Sequence, residues 1–312
     1  MGKVTLPPGK KIAVNLGVDF DAQCIWLGSF NYLTPSFMSR GQFGAEVGVP
    51  RLLDVFKRKG ITTSFYIPGH TVDTFPEISK KVMDAGHEIG HHGYYHEILP
   101  AIKKDTEKRL MDLAFASYKK HFGIRPTGYR APYWEFSEST LDLVEEAGFF
   151  YDSSMMARDL SPYRIQRWQV NWEKGSVAGP ASKVLEIPIS WYLDDFPALA
   201  NIGGVQEGLA DTDVVFRRWR DIFDYAYERV DSPVYPMAVH PQIIGQAHHI
   251  MAYEKLVEHI MSKEGVWFAT CQEIAEAWVD DEEDKKKMAL PDVRGVQTAP
   301  DDSPFGSKSA RA

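Results

Sequence analysis

Apolar positions along this chain change period repeatedly, and the changes mark its elements. Residues 12–18 form an apolar run of the kind that fills a strand buried on both faces. Residues 22–44, rich in Ser, Gly and aromatics, show no clear period and predict a long ordered loop. From 46 to 59 Val49, Leu52, Leu53 and Phe56 share one helical face, and Gly60 supplies the stop. A β-branched and aromatic strand follows at 61–68, then a helix at 76–85 halted by Gly86, then a strand leading into His92. The alternation continues with helix 105–121, ended by Gly123, and strand 127–131. Ser137 is the expected cap of a helix running to residue 147, with Glu138 and Asp142 suiting its N-terminal dipole. Strands at 149–153 and 184–190, helix 211–229, strand 234–239, helix 248–262, strand 266–270 and helix 272–279 complete the series.

Strand and helix alternate about eight times, which predicts parallel βα units. No linker or internal repeat interrupts them, so one α/β domain over 1–280 is expected. A β/α barrel, distorted or incomplete, accounts for this alternation better than an open doubly wound sheet, and the lack of a GxGxxG or P-loop at the first βα turn argues against nucleotide binding. After about residue 280 the composition turns charged, then rich in Pro, Ser and Gly, which predicts a loosely held tail over 281–312 or an oligomer arm.

Of 312 residues, 44% are hydrophobic and 12% aromatic, as in a packed globular protein. The net charge of −8 argues against nucleic acid or an anionic membrane as partner. Two cysteines, Cys24 and Cys271, exclude a disulfide framework and a cysteine-rich zinc site. The N-terminal residues contain no apolar signal core and no run is long enough to span a bilayer, which predicts a cytoplasmic protein. The 22–44 segment and the tail point to a homo-oligomer.

The chemistry concentrates at residues 87–97, where four histidines fall within ten positions. His92 and His96 stand four apart, a spacing that puts both imidazoles on one side of a helical turn. Imidazole is a common ligand for divalent transition metals, but the pair alone leaves a polar surface tract equally open. Strand ends decide in favour of a metal site, because in a β/α barrel the active site lies there. The first ends in Asp19 and Asp21, two apart and therefore on one side if the strand continues. Later ends bring Arg130, Tyr133 and Trp134, then Trp191, Asp194 and Asp195, then His240. His87 and His91 read as structural, the latter turned away from His92 by strand alternation, and His248 and His249 as solvated.

These motifs resemble the polysaccharide deacetylase family, also called the NodB-homology or carbohydrate esterase family 4 fold, over roughly residues 12–277. GVDFDA stands where that family has a TFDDG-like motif, HGYYH is similar to its HxxxH, RAPYW to its RxPY/F, and Met237 to His240 to its final LxxH-like motif. The segment from Trp26 to Leu53 looks like the signal-less branch similar to the Helicobacter peptidoglycan deacetylase, a branch with relatives among cyclic imidases and metal-independent allantoinases. The resemblance implies that Asp21, His92 and His96 hold Zn²⁺ or another divalent ion. It implies Asp19 as general base, Arg130 as the partner that orients it, the Tyr133 backbone N–H as an oxyanion donor and His240 as general acid. Trp191, Trp26 and Trp134 are the candidate substrate walls, and either Asp194 or Asp195 orients His240. Asp-Phe-Asp replaces the family's adjacent acids, which spaces the two carboxylates differently.

The expected activity is metal-dependent hydrolysis of a non-peptide C–N amide bond, first as N-deacetylation of an acetylated amino sugar. The alternative is ring opening of a small cyclic imide or amide by the same mechanism, which a cytoplasmic location favours. A glycan-binding protein on an inactive barrel is the non-enzyme alternative.

Overall fold

A computed structural model of the protein describes residues 2–291. The elements in chain order are β1 (Lys3–Val4), β2 (Ile12–Asp19), α1 (Pro35–Phe43), α2 (Val49–Lys59), β3 (Ser64–Ile67), α3 (Gly69–Thr74), α4 (Pro76–Asp84) and β4 (Glu88–His91). Then come α5 (Lys104–Phe122), β5 (Gly128–Tyr129), α6 (Thr140–Glu146), β6 (Tyr151–Asp152), β7 (Tyr163–Gln169), β8 (Val177–Glu186), α7 (Phe196–Leu199) and α8 (Thr212–Arg229). The chain continues with β9 (Val234–Val239), α9 (Pro241–Ile244), α10 (Ala247–Met261), β10 (Val266–Phe268), α11 (Cys271–Glu276), β11 (Trp278–Val279) and α12 (Glu282–Met288).

Nine of the strands make one curled sheet around β2, all of whose residues are buried. Strands β3, β4, β5, β6 and β8 follow in parallel from the C-terminal half of β2, and β9 lies along its other edge. Strand β10 shares an edge of β2 with β3, pairing with Ile12 to Val14 while β3 pairs with Val18 and Asp19. Asn15 bridges the divergence, its amide donating to Thr63, Ser64 and the Ala269 carbonyl. Among the described residues no ladder joins β8 to β9; an isolated parallel bridge from Asp194, in the segment after β8, reaches Ala238 of β9. The fold is thus the incomplete β/α barrel that the alternation predicts.

The stops at Gly60 and Gly123 are left-handed helix ends, with φ of 65° and 72°. Four expectations need correction. Residues 22–44 are largely helical: a π-turn at Ile25–Ser29 is followed by α1, capped by the Thr34 hydroxyl, which runs through a second π-turn at Gly44–Gly48 into α2. Small residues hide this from a periodicity count. At Gly48, a Cβ would lie 2.1 Å from the Pro241 carbonyl oxygen, so close packing rather than an apolar stripe seats the helix. Ser137 does not cap α6, which starts at Thr140; it donates instead to Glu107 of α5 at 2.6 Å.

The strand expected at 184–190 stops at Glu186 as the end of β8, whose antiparallel partner β7 carries a mixed, half-exposed sequence without a strand signal. The last expected helix ends at Glu276, and Trp278–Val279 instead pairs antiparallel with β1. Beyond it Asp280 forms an ion pair with Arg164 at 2.7 Å, followed by α12. Residues 292–312, which belong to the expected tail, lie outside the described residues. Among the described residues no helix is long and apolar enough to cross a membrane.

Candidate metal centre and active site

Strand β2 delivers Asp19 as its last residue, and the chain then turns instead of continuing, with Ala22 at φ 50°. Thr71 of α3 donates to the Asp21 carbonyl at 2.6 Å and fixes that turn. Asp21 therefore reaches the site through the turn, not through strand alternation. His92 and His96 likewise do not share a helix. Strand β4 ends at His91, and a tight loop follows in which Gly93 and His96 have φ of 66° and 62°. The Glu97 carboxylate accepts the backbone N–H groups of Tyr94 and Tyr95 at 3.0–3.2 Å and closes the loop on itself. Two left-handed residues bring the rings to 5.0 Å between centroids, a convergence that i, i+4 spacing in an extended chain would not produce.

Asp21, His92 and His96 are buried, and their ligand atoms lie within 4.8 Å of one another. His92 Nε2 is 3.4 Å from Asp21 Oδ1, and His96 Nε2 is 3.8 Å from Asp21 Oδ2. Two ligands at zinc-bonding distance in a tetrahedral shell sit roughly 3.4 Å apart, so the spacing suits a cation between them. The polar bookkeeping agrees. Both Asp21 oxygens and His92 Nε2 are buried without a hydrogen-bond partner. Such groups are costly unless something occupies them. His92 Nδ1 meets the Arg130 carbonyl at 2.7 Å, and since a carbonyl only accepts, Nδ1 carries the proton and leaves the Nε2 lone pair facing Asp21.

The electrostatics run the same way. Burial pushes the Asp21 carboxyl up, but His96, His92 and His240 outweigh it and hold it at about 2. Burial lowers His92, yet the carboxylates of Asp21 and Asp19 lift it above its ordinary value; positive charge at this point is what the cluster favours. His96 is held neutral by burial, down to about 4. The ionised Asp21 carboxylate and the neutral His96 imidazole are the forms that bind a metal, and at His92 a cation would take the place of the proton that the carboxylates favour.

On one side of this cluster Arg130, fully buried, donates from Nη1 to Asp19 Oδ1 at 2.6 Å, and Trp134 Nε1 donates to Asp19 Oδ2 at 3.2 Å. The guanidinium lies 3.9 Å over the Tyr66 ring, and Ser153 takes its remaining bonds. Burial opposes ionisation of Asp19, but Arg130, His92 and His240 together lower its pKa. On the other side His240, at the end of β9, presents Nε2 3.5 Å from Asp21 Oδ2. Its Nδ1 meets Asp195 Oδ1 at 2.8 Å and Asp194 Oδ1 at 3.3 Å, and its backbone N–H also donates to Asp195. Asp195 is thus the closer partner, while Asp194 Oδ1 accepts the Phe196 N–H. Burial lowers His240, but these two carboxylates raise it well above the ordinary histidine value.

Asp19, His96 and His240 open into one cavity of about 90 Å³, lined further by Tyr133, Trp134, Trp191, Phe30 and Phe196. Trp134 and Trp191 stack at 4.4 Å. Tyr133 and Trp134 both adopt left-handed backbone, φ 60° and 55°, unusual for aromatic residues and suited to aiming their groups into the site. Trp26, expected as a wall, does not line the cavity; it is buried behind it against Phe30, Phe37 and Phe196.

His91 is turned away from the site, as expected. It is buried among Phe115, Tyr129 and Phe149, with Nε2 toward the Met111 carbonyl. His87 accepts the Thr63 N–H and is structural too. His249, expected to be solvated, is buried against the Ile243 carbonyl because it starts α10 facing inward, whereas His248 is exposed. Ser29, which contacts His96, and Glu97, which shapes its loop, carry no motif that would have marked them.

A curled β/α sheet with a buried Asp–His–His cluster at its strand ends, flanked by an Asp–Arg pair and a His–Asp pair, defines the class. The comparisons name it. A family model described as polysaccharide deacetylase matches residues 41–151. The peptidoglycan deacetylase of Helicobacter pylori is 38% identical over 281 residues, spanning 86% of this chain and 96% of that protein. A Mycobacterium smegmatis structure assigned to the polysaccharide deacetylases superposes with a TM-score of 0.79 at 28% identity, over 95% of this chain and 99% of the other. PuuE allantoinase, at 24% identity over 87% of this chain and 91% of its own, shares the fold with a TM-score of 0.69. The chain belongs to the polysaccharide deacetylase family.

Proposed function

We propose that this protein is a divalent-metal-dependent N-deacetylase acting on an acetylated amino sugar, with Asp21, His92 and His96 as ligands and Zn²⁺ as the metal. The observation that carries the reading is the orphaned Asp21–His92 set with an acid–base group on each side. Bound there, a divalent cation supplies Lewis acidity toward a water and the amide carbonyl.

The chain's own residues divide the remaining work. Asp19 takes the water's proton on Oδ2, whose bond to Trp134 is longer than the Arg130 bond on Oδ1. Arg130 keeps the carboxylate ionised and aimed. The Tyr133 backbone N–H, on its left-handed turn, donates to the developing oxyanion. His240, anchored through Nδ1 to Asp195, gives its Nε2 proton to the departing nitrogen. Trp134 and Trp191 form the apolar walls against which a sugar ring or acyl group rests. The Helicobacter relative, named a peptidoglycan deacetylase, supports the substrate class.

One observation favours a second substrate. The cavity is small and lined by the apolar Phe30, Phe196 and Val205, which suits a compact ring such as a cyclic imide. Zinc-loaded protein assayed with an N-acetylglucosamine oligomer and with succinimide separates the two. Chelator-sensitive acetate release is expected. Ring opening alone transfers the function to the cyclic substrate, and chelator-insensitive turnover of either overturns the metal-dependent reading.

A further inference from the structure

Two buried carboxyl groups outside the chemistry just described face each other beneath Arg130. Asp152 ends β6 and Glu186 ends β8, directly opposite in parallel register. Both are fully buried. One oxygen of each is well served: Asp152 Oδ1 accepts from the Ser154 hydroxyl at 2.7 Å, and Glu186 Oε1 accepts the Ser154 and Met155 N–H groups at 2.9 Å each. The other oxygens, Asp152 Oδ2 and Glu186 Oε2, are buried without a hydrogen-bond partner. Two carboxylates cannot both stay charged in such a place, and one proton between the orphan oxygens satisfies both.

What the pair supports is the seat of Arg130. Arg130 donates from Nε to the Ser153 carbonyl at 2.9 Å and from Nη2 to the Ser153 hydroxyl at 2.8 Å. The Ala131 N–H, at the head of the turn carrying Tyr133 and Trp134, donates to the Ser154 hydroxyl at 2.8 Å. That hydroxyl can accept in this orientation because its own proton goes to Asp152. We propose that Asp152 and Glu186 are positioning residues: a single proton shared between them locks the Ser153–Ser154 turn on which Arg130 and the Tyr133–Trp134 turn are seated.

Burial raises both carboxyls; Asp152 raises Glu186 further, whereas the hydrogen bond from Glu186 and the charge of Arg130 lower Asp152. Arg130 is the charged group facing the pair, and Tyr129 and Tyr163 are the titratable neighbours; the arginine's charge, already paired with Asp19, favours one negative charge on the dyad.

The predicted effect on turnover rests on the deacetylase reading, whereas the state of the pair does not. Glu186→Gln places an amide NH₂ against Asp152 Oδ2 and keeps the amide oxygen for Ser154 and Met155, so it stands in for the shared proton. Asp152→Asn does the same from the other side. The double variant sets NH₂ against NH₂. Each single variant is expected to keep metal affinity and most of kcat. The double variant and Glu186→Ala should lose kcat about 10–100-fold, the usual range for a supporting-shell loss, with zinc affinity unchanged. Infrared difference spectra of the unliganded proteins near neutral pH read the proton itself: a protonated-carboxyl C=O band in the wild type, absent from Glu186→Gln. A wild type without that band overturns the shared proton even if no variant folds or no substrate is turned over. A double variant as active as the singles overturns the positioning role.

Discussion

Ser29 Oγ lies 2.6 Å from His96 Nδ1 and 3.0 Å from the His96 carbonyl oxygen. The hydroxyl has one proton, and the carbonyl can only accept it. Ser29 therefore accepts from Nδ1–H, which leaves the lone pair of His96 on Nε2, the nitrogen facing Asp21. A serine on a π-turn selects the tautomer of a proposed metal ligand. Ser29→Ala should lower zinc affinity about 10–100-fold in chelator competition, while Tm of the metal-free protein stays nearly unchanged. Unaltered affinity would show that the ring needs no such partner.

Gly28 packs against the same loop. A Cβ there would meet the Tyr95 carbonyl oxygen at 2.1 Å and the His96 carbonyl oxygen at 2.5 Å, and backbone cannot give way cheaply. Gly28→Ala should weaken zinc binding and lower Tm together. Gly203→Ala, where a Cβ meets nothing within 4 Å, serves as the control and should change neither.

The two aspartates at the end of β2 have different surroundings, and their variants should differ in kind. Asp19→Asn keeps an oxygen for Arg130 and should retain zinc while kcat falls about 10²–10⁴-fold, the usual contribution of a general base. Asp21→Asn removes the charge from the proposed ligand set and should lose zinc. Metal loss in the first and retention in the second would exchange their roles.

His87 offers a pH test away from the site. Buried against Phe56 and Phe65, it has its pKa lowered by desolvation from 6.5 to about 4. Above 6.5 the ring is neutral in both folded and unfolded chains. Between 6.5 and about 4 the unfolded chain takes a proton that the folded one refuses, so stability is lost as pH falls, by about 1.4 kcal/mol per pH unit. His87→Gln keeps an acceptor for the Thr63 N–H and removes the titration. Denaturation midpoints of the variant should fall less steeply over that interval; parallel slopes would locate the acid sensitivity elsewhere.

Much of the barrel was legible because its main signals are local. The run at 12–18 is apolar throughout because both faces of β2 are covered, and Gly60 and Gly123 mark helix ends because left-handed backbone favours glycine. The hairpin strand β7 is not legible for the opposite reason: its Tyr-Arg-Ile-Gln-Arg-Trp-Gln sequence is half exposed and carries no such run. The candidate site was legible as residue types at strand ends, since only certain side chains bind a cation or move a proton. Trp26 shows the limit, because an indole reads the same whether it lines a cavity or backs its wall.

Sequence by itself thus determined the alternating architecture, the absence of a disulfide framework and the candidate residue types at the strand ends. Tertiary structure decided how they meet. The convergence of His92 and His96 comes from left-handed backbone at Gly93 and His96, not from their spacing, and Asp195 rather than Asp194 lies nearer His240. The tautomer set by Ser29 and the facing pair of Asp152 and Glu186 join residues 67 and 34 positions apart. Hydrogen-bond direction and burial depend on distances in space, and a pattern read along the chain carries neither.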